Sequence, residues 1–331
     1  MTLRSRGVVE MPIVFAMLAT GFVFVCGAND GAALLSLALR RDVPLFGVLA
    51  VLLTAIVVGP ALFGLAVART FTDRLVDAHA VRGPLILLAG VTVALALVLL
   101  LTWRGVPTSL TLAVLGGLAG VGAGLGVPPV WSTLGLVLAV AAVAPLLGGL
   151  LGYLLGLAAR RLPTSARLPG ALRYAHVTAF AGQSLAYAAN DGQKMFAVVG
   201  VALAVAHRAR GMLAPTVPVL CATALVFALG AVASLRRISR GATAGLLPPR
   251  PWHVVSAEVA AATAVLGSAG FGVPVSMTQS AAAGLVGAGV SCGARRVRWQ
   301  FATPVMTAWL VTLPASLTLG FAAGLLLREL R

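Results

Sequence analysis

Two of the eight acidic residues in this 331-residue chain, Asp30 and Asp191, lie inside apolar runs, each with an asparagine before it: GAND at 27–30 and AAND at 188–191. A charge at mid-bilayer costs about 2.5 to 3.5 kcal/mol even on lenient insertion scales, so such a residue is by default kept for function. Carboxylate, amide oxygen and carbonyls freed at a helix break are hard oxygen ligands for a small cation, and a protonatable carboxylate can carry H⁺ instead. Asn29, Asp30, Asn190 and Asp191 are therefore candidate cation positions, against the plainer reading that they cap broken helices. A second pair of motifs, GVPTSLT at 105–111 and GVPVSMT at 272–278, suits an anion. Proline presets the first helical turn, and Ser and Thr hydroxyls stand beside its unpaired N–H groups at the positive end of the dipole. Thr108, Ser109, Thr111, Ser276 and Thr278 are the candidates there, the alternative being ordinary N-caps at a membrane surface.

Lys194 is the only lysine in the sequence and stands three residues after Asp191, so on a helix the two share a face. It is either the partner of that aspartate or a ligand for an anion. Gln193 beside it can donate to an anion or bridge helices. Glu258 opens an apolar run and is read as a partner for another polar group in the bundle. Asp42, Asp73, Asp77 and Glu329 fall in arginine-bearing connections or at the tail, where charges are solvated or meet lipid headgroups.

The elements that carry these residues must be membrane helices. The chain is 60% hydrophobic and 10% charged with mean hydropathy +1.03, against roughly 25% charged in soluble domains. Apolar runs long enough to span a bilayer occur at 44–68, 84–101, 127–159, 212–235 and 301–327, and nothing is left for a soluble domain. The first apolar run is read as a retained helix and not as a secretory signal, because the polar tetrapeptide that ends it recurs later. The net charge of +16 comes from arginines at the ends of apolar runs, which is a membrane-flanking pattern and not a nucleic-acid footprint. Cys26, Cys221 and Cys292 are isolated, so neither a disulfide framework nor a metal site is indicated. No GxSxG, HExxH or GxxxxGK is present, which leaves an enzyme or a nucleotide-driven pump without support.

The sequence also repeats itself. The two Asn-Asp pairs, the two Gly-Val-Pro motifs, Trp131 and Trp299, and Pro145 and Pro314 recur in the same order at separations of 161, 167, 168 and 169 residues. The expected fold is an all-α polytopic membrane protein of two inverted repeats, with broken helices and re-entrant helical hairpins converging near the midplane. The repeats are 1–160 and 174–331, joined by a Pro/Arg-rich linker at 161–173. A further polar connection at 236–251 has its counterpart at 69–82. Gly148, Gly152 and Gly156 make a helix-packing face, or a contact for a homodimer.

GAND, AANDGQK and the paired P-x-S-x-T stretches, together with LTWRGVPTS, AEVAAATAVLGSAGFGVPVS and MTAWLVTLPAS, resemble the inorganic phosphate transporter (PiT) family of secondary permeases. The resemblance covers most of the chain. It implies symport of inorganic phosphate with Na⁺ or H⁺ at the plasma (inner) membrane, with the lipid bilayer as solvent and no cofactor beyond the coupling ion. It places the cation near Asn29, Asp30, Asn190 and Asp191. It places the oxyanion between the hairpin tips, at Thr108, Ser109, Thr111, Ser276 and Thr278, with Gln193 and Lys194 nearby. The chain departs from the family pattern at Ala33, Leu110, Leu112, Tyr187, Met277 and Gln279, which leaves fewer polar groups for either ion. Sulfate or another oxyanion is the alternative cargo. A channel or non-transporting scaffold is the remoter one.

Overall fold

The protein is described here by a computed structural model covering residues 3–39, 43–77, 80, 82–103, 108–161, 168–239 and 250–330. Residues 162–167 of the expected 161–173 linker, 240–249 of the 236–251 connection and 105–107 of the first hairpin motif lie outside the described residues. Among the described residues the fold is all helix. Leu3–Cys26 (α1) continues through a π turn, Gly27–Gly31, into Ala32–Ala38 (α2). Then come Leu45–Phe63 (α3), the short Ala66–Arg69 (α4) with a second π turn at Thr70–Arg74, Gly83–Trp103 (α5), Leu110–Gly124 (α6) and Trp131–Ala159 (α7). The second half runs Leu168–Ala189 (α8), Gln193–Ala206 (α9), Val217–Ser239 (α10), Pro251–Ala269 (α11), Met277–Val290 (α12) and Trp299–Glu329 (α13), with a 3-10 turn at Ala294–Arg296.

Six of these segments are long and apolar enough to cross a membrane: Met11–Ala38, Leu45–Phe63, Gly83–Thr102, Trp131–Ala159, Val217–Ser239 and Trp299–Glu329. Large apolar side chains are exposed on the outside, while charged and polar groups are buried within the apolar interior. Leu146 and Leu310 are 71% and 75% exposed while Lys194 is 2% exposed, and Asp30, Asn190, Asp191, His176 and Glu258 are buried. That arrangement suits hydrocarbon as solvent and would be costly in water. Outward-facing threonines hide their hydroxyls on their own helix, Thr92 on Leu88 O at 2.7 Å and Thr263 on Val259 O at 2.8 Å.

The helix expected from the apolar run at 44–68 stops early. At Gly64 the backbone takes φ 69°, ψ −160°, a conformation open to glycine, and the chain restarts as α4. The GAND segment also differs from expectation: its flanking residues keep right-handed helical angles and the Ala32 N–H reaches Gly27 O, so the helix widens by a π turn without interruption. AAND is a true interruption, in which the Gly192 N–H bonds Tyr187 O at 2.7 Å before α9 begins.

The two halves interleave. The hairpin helix α6 packs on α13, and α12 packs on α7. Close glycine contacts make both pairings tight: a Cβ at Gly120 would meet Leu317 O at 2.2 Å, and one at Gly152 would meet Gly284 O at 2.2 Å. The Gly148, Gly152, Gly156 stripe is thus buried inside the chain against Ser280, Gly284 and Ser291. It is not available as a contact for a second copy, because α12 already fills it.

Candidate functional site

The π turn delivers Asp30 to the interior, where its Oδ1 accepts from Asn29 Nδ2 at 2.8 Å and its Oδ2 from Lys194 Nζ at 2.6 Å. A π turn projects its side chains at a changed angle, and such turns are frequent at functional sites. Tyr187 at the end of α8 donates from its hydroxyl to the same Oδ2 at 3.4 Å, with its ring tilted by 43° against Phe227 at a centroid distance of 5.6 Å. From the first turn of α9, Lys194 reaches both carboxylates: besides Asp30 it makes a short hydrogen-bonded ion pair with Asp191 Oδ1. Thr111, in the first turn of α6, donates to Asp191 Oδ1 at 2.7 Å. The Met277 N–H at the start of α12 donates to Asp191 Oδ2 at 3.0 Å. The starts of both hairpin helices therefore meet one carboxylate, which favours the dipole of each.

The neighbouring amides do something else. Asn190 Oδ1 accepts from the Val275 N–H at 3.0 Å, while Nδ2 donates to Val273 O and to Ser268 Oγ, both at 2.9 Å. Gln193 Oε1 accepts from the Ala68 N–H at 3.0 Å, and Nε2 donates to Gly64 O at 3.1 Å and Ala189 O at 2.7 Å. Each amide clamps backbone groups that a chain break leaves without helical partners, Asn190 at the second hairpin and Gln193 at the α3–α4 interruption. Thr70 ties these breaks together by donating to Gly272 O at 2.6 Å.

Of the sequence-predicted residues, the structure gathers Asp30, Asp191, Lys194 and Thr111 into one cluster, with Asn29 at its edge. Ser109 and Ser276 act as N-caps of α6 and α12, accepting from the Leu112 N–H at 3.3 Å and the Gln279 N–H at 3.4 Å. Ser276 and Thr278 lie 3.0 Å apart, and Thr278 borders a cavity of about 50 Å³ with Ala33, Leu37 and Leu285. Thr108 is turned away to Thr312 at 2.6 Å. Glu258 has the bundle partner expected of it: His176 Nδ1 is 2.9 Å from its Oε2, and His176 Nε2 is 2.9 Å from Ala38 O. His176 and Thr312 were not singled out in sequence, although a polar residue inside an apolar span is the signal that would have found them.

Comparison with known proteins agrees with this architecture. Residues 26–320 match the profile of the "Phosphate transporter family". A protein of Bacillus subtilis called "Probable low-affinity inorganic phosphate transporter" is 27% identical over 327 residues, 96% of this chain and 97% of that one. A Mycobacterium tuberculosis protein of the same description is 34% identical over 274 residues, 80% of this chain and 65% of its own length, so the match spans about two thirds of that relative. The solved structure titled "The sodium-dependent phosphate transporter" shares the fold, with TM-score 0.78 and 18% identity over 97% of this chain and all of the other. These relatives are transporters and not enzymes, in keeping with the missing enzyme motifs.

Proposed function

The chain belongs to the phosphate transporter family as a multi-pass protein of the plasma membrane, and we propose that it carries inorganic phosphate in symport with a cation. One observation carries this reading: both Asn-Asp motifs and both Pro-x-Ser-x-Thr motifs, distant in sequence, converge on one buried charged cluster. Asp30 and Asp191 hold the cation in this reading. Thr111, Ser276, Thr278 and the N-terminal turns of α6 and α12 receive the oxyanion, because those turns offer N–H groups and a positive dipole end. Asp191 now takes the Met277 N–H, so an arriving anion competes with an internal carboxylate and makes cation binding and anion binding interdependent. The two repeats, taken as inverted, rock about this site by alternating access.

Uptake of labelled phosphate into reconstituted vesicles tests the reading. A proton or sodium gradient is expected to drive accumulation above the external concentration, which neither a channel nor a scaffold can do. Accumulation is expected to collapse in Asp30→Asn and in Asp191→Asn. Unchanged uptake in both variants would sink the assignment, and stronger inhibition by sulfate than by unlabelled phosphate would transfer it to sulfate.

A further inference from the structure

We infer that Lys194 is a built-in cation standing where a transported sodium ion would have to sit, so that phosphate transport by this chain is independent of Na⁺ and coupled to protons. The inference rests on the symport reading above and goes beyond it by naming the ion.

The ammonium lies between the two carboxylates, joined to Asp30 Oδ2 at 2.6 Å and to Asp191 Oδ1 more closely still. A carboxylate oxygen offers about two lone-pair directions, and on the two oxygens that face each other these are taken. Asp30 Oδ2 accepts from Lys194 and from the Tyr187 hydroxyl. Asp191 Oδ1 accepts from Lys194 and from the Thr111 hydroxyl. The outer oxygens are held by Asn29 and by the Met277 N–H. The amide oxygens that a metal ion would need next, Asn190 Oδ1 and Gln193 Oε1, accept from the backbone N–H groups of Val275 and Ala68. Sodium entering between the two carboxylates would have to displace the ammonium that bridges them, and the ammonium, being covalently tethered, cannot travel with the cargo.

Charge counting points to the ion that does travel. Two carboxylates and one ammonium leave the cluster with a single negative charge, which one proton neutralises without needing several oxygens around it. The proton enters from outside onto a carboxylate oxygen of Asp30 or Asp191, crosses with the phosphate, and leaves that oxygen to the inside. Among the described residues, Cys26 of α1 and Tyr187 of α8 also act on the cluster as titratable groups. Removing the ammonium would leave two facing carboxylates with no cation between them, the arrangement that invites Na⁺.

The experiment compares labelled phosphate uptake by the wild-type protein in vesicles under a proton gradient with choline or with sodium outside, and follows radiolabelled sodium in parallel. Wild-type accumulation is expected to be the same in both salts, with no sodium entering alongside phosphate. Lys194→Met is expected to make uptake sodium-stimulated by on the order of tenfold, the scale of one charge-assisted contact. Its melting temperature in detergent is expected to rise in sodium chloride relative to choline chloride, because an ion bound by the folded state stabilises it; the wild type shows no such rise. Lys194→Arg keeps a tethered cation and is expected to stay sodium-independent. Sodium-dependent wild-type uptake, or sodium entering with phosphate, overturns the inference and leaves symport standing. A Lys194→Met protein that folds without any sodium response also overturns it. Absence of wild-type accumulation under every gradient overturns the symport reading first.

Discussion

Asn190 and Asp191 are adjacent in sequence, yet their side chains serve different ends, and the difference can be measured. Replacing Asn190 by alanine strands the Val275 N–H and the Val273 carbonyl in a buried place, so stability should fall by about 2 kcal/mol. Asp191→Asn keeps the shape and an acceptor for the Met277 N–H but loses the charge that pairs with Lys194. Thermal melting in detergent beside phosphate uptake should therefore show Asn190→Ala as the less stable protein and Asp191→Asn as a folded protein without uptake. The reverse ranking would mean that the amide belongs to the transport chemistry. What sequence could disclose here was the recurrence of the Asn-Asp pair and its place inside the membrane. It could not disclose which atoms are spent on backbone, because the partners of Asn190 lie 75 to 85 residues away along the chain.

At the scale of elements, the repeated tetrapeptide gives two local structures, a π turn in the first half and an interruption in the second. Gly27 faces α10 so closely that a Cβ would lie 2.0 Å from Phe227 O, and a widened turn adds a residue while the helix continues past that contact. At 190–192 the chain instead breaks, and Gln193 immediately after it is tied to the interrupted backbone at Gly64 and Ala68. The glycine spacing at 148, 152 and 156 was legible as a packing face, but spacing carries no information about which helix fills it. Substitution separates crowded from open positions on one helix. Gly152→Ala drives a methyl group into Gly284 O and should part α7 from α12, lowering both melting temperature and uptake. Gly135→Ala on the same α7, with nothing within 4 Å of its Cβ position, should be neutral or stabilising by up to about 1 kcal/mol. Equal effects at the two positions would show that helix propensity, and not close approach, governs this helix.

For the whole molecule, four landmarks recurring in order at offsets of 161 to 169 residues pointed to two repeats, and the apolar composition pointed to the solvent. How the repeats combine was hidden, because interleaving is a property of contacts between halves. The cluster itself is shared: Asp30 and Thr111 come from the first half, Asp191, Lys194 and Met277 from the second. So are the glycine-keyed faces, α6 against α13 and α7 against α12. In a membrane, separating such faces exposes no apolar surface to water, so what is lost is close packing and the pairing of buried charge. A fragment of residues 1–161 would hold Asp30 in hydrocarbon with no ammonium beside it, and a fragment of 168–331 would hold Lys194 against Asp191 with the α6 contacts gone. Neither fragment expressed alone should yield a folded, monodisperse protein or any phosphate uptake, whereas the two co-expressed should assemble and recover uptake. Recovery by the pair would locate the stability of the fold in the interface between repeats. Phosphate uptake by the 1–161 fragment alone would instead mean that a single repeat builds a complete site, against the shared geometry of Asp30 and Lys194.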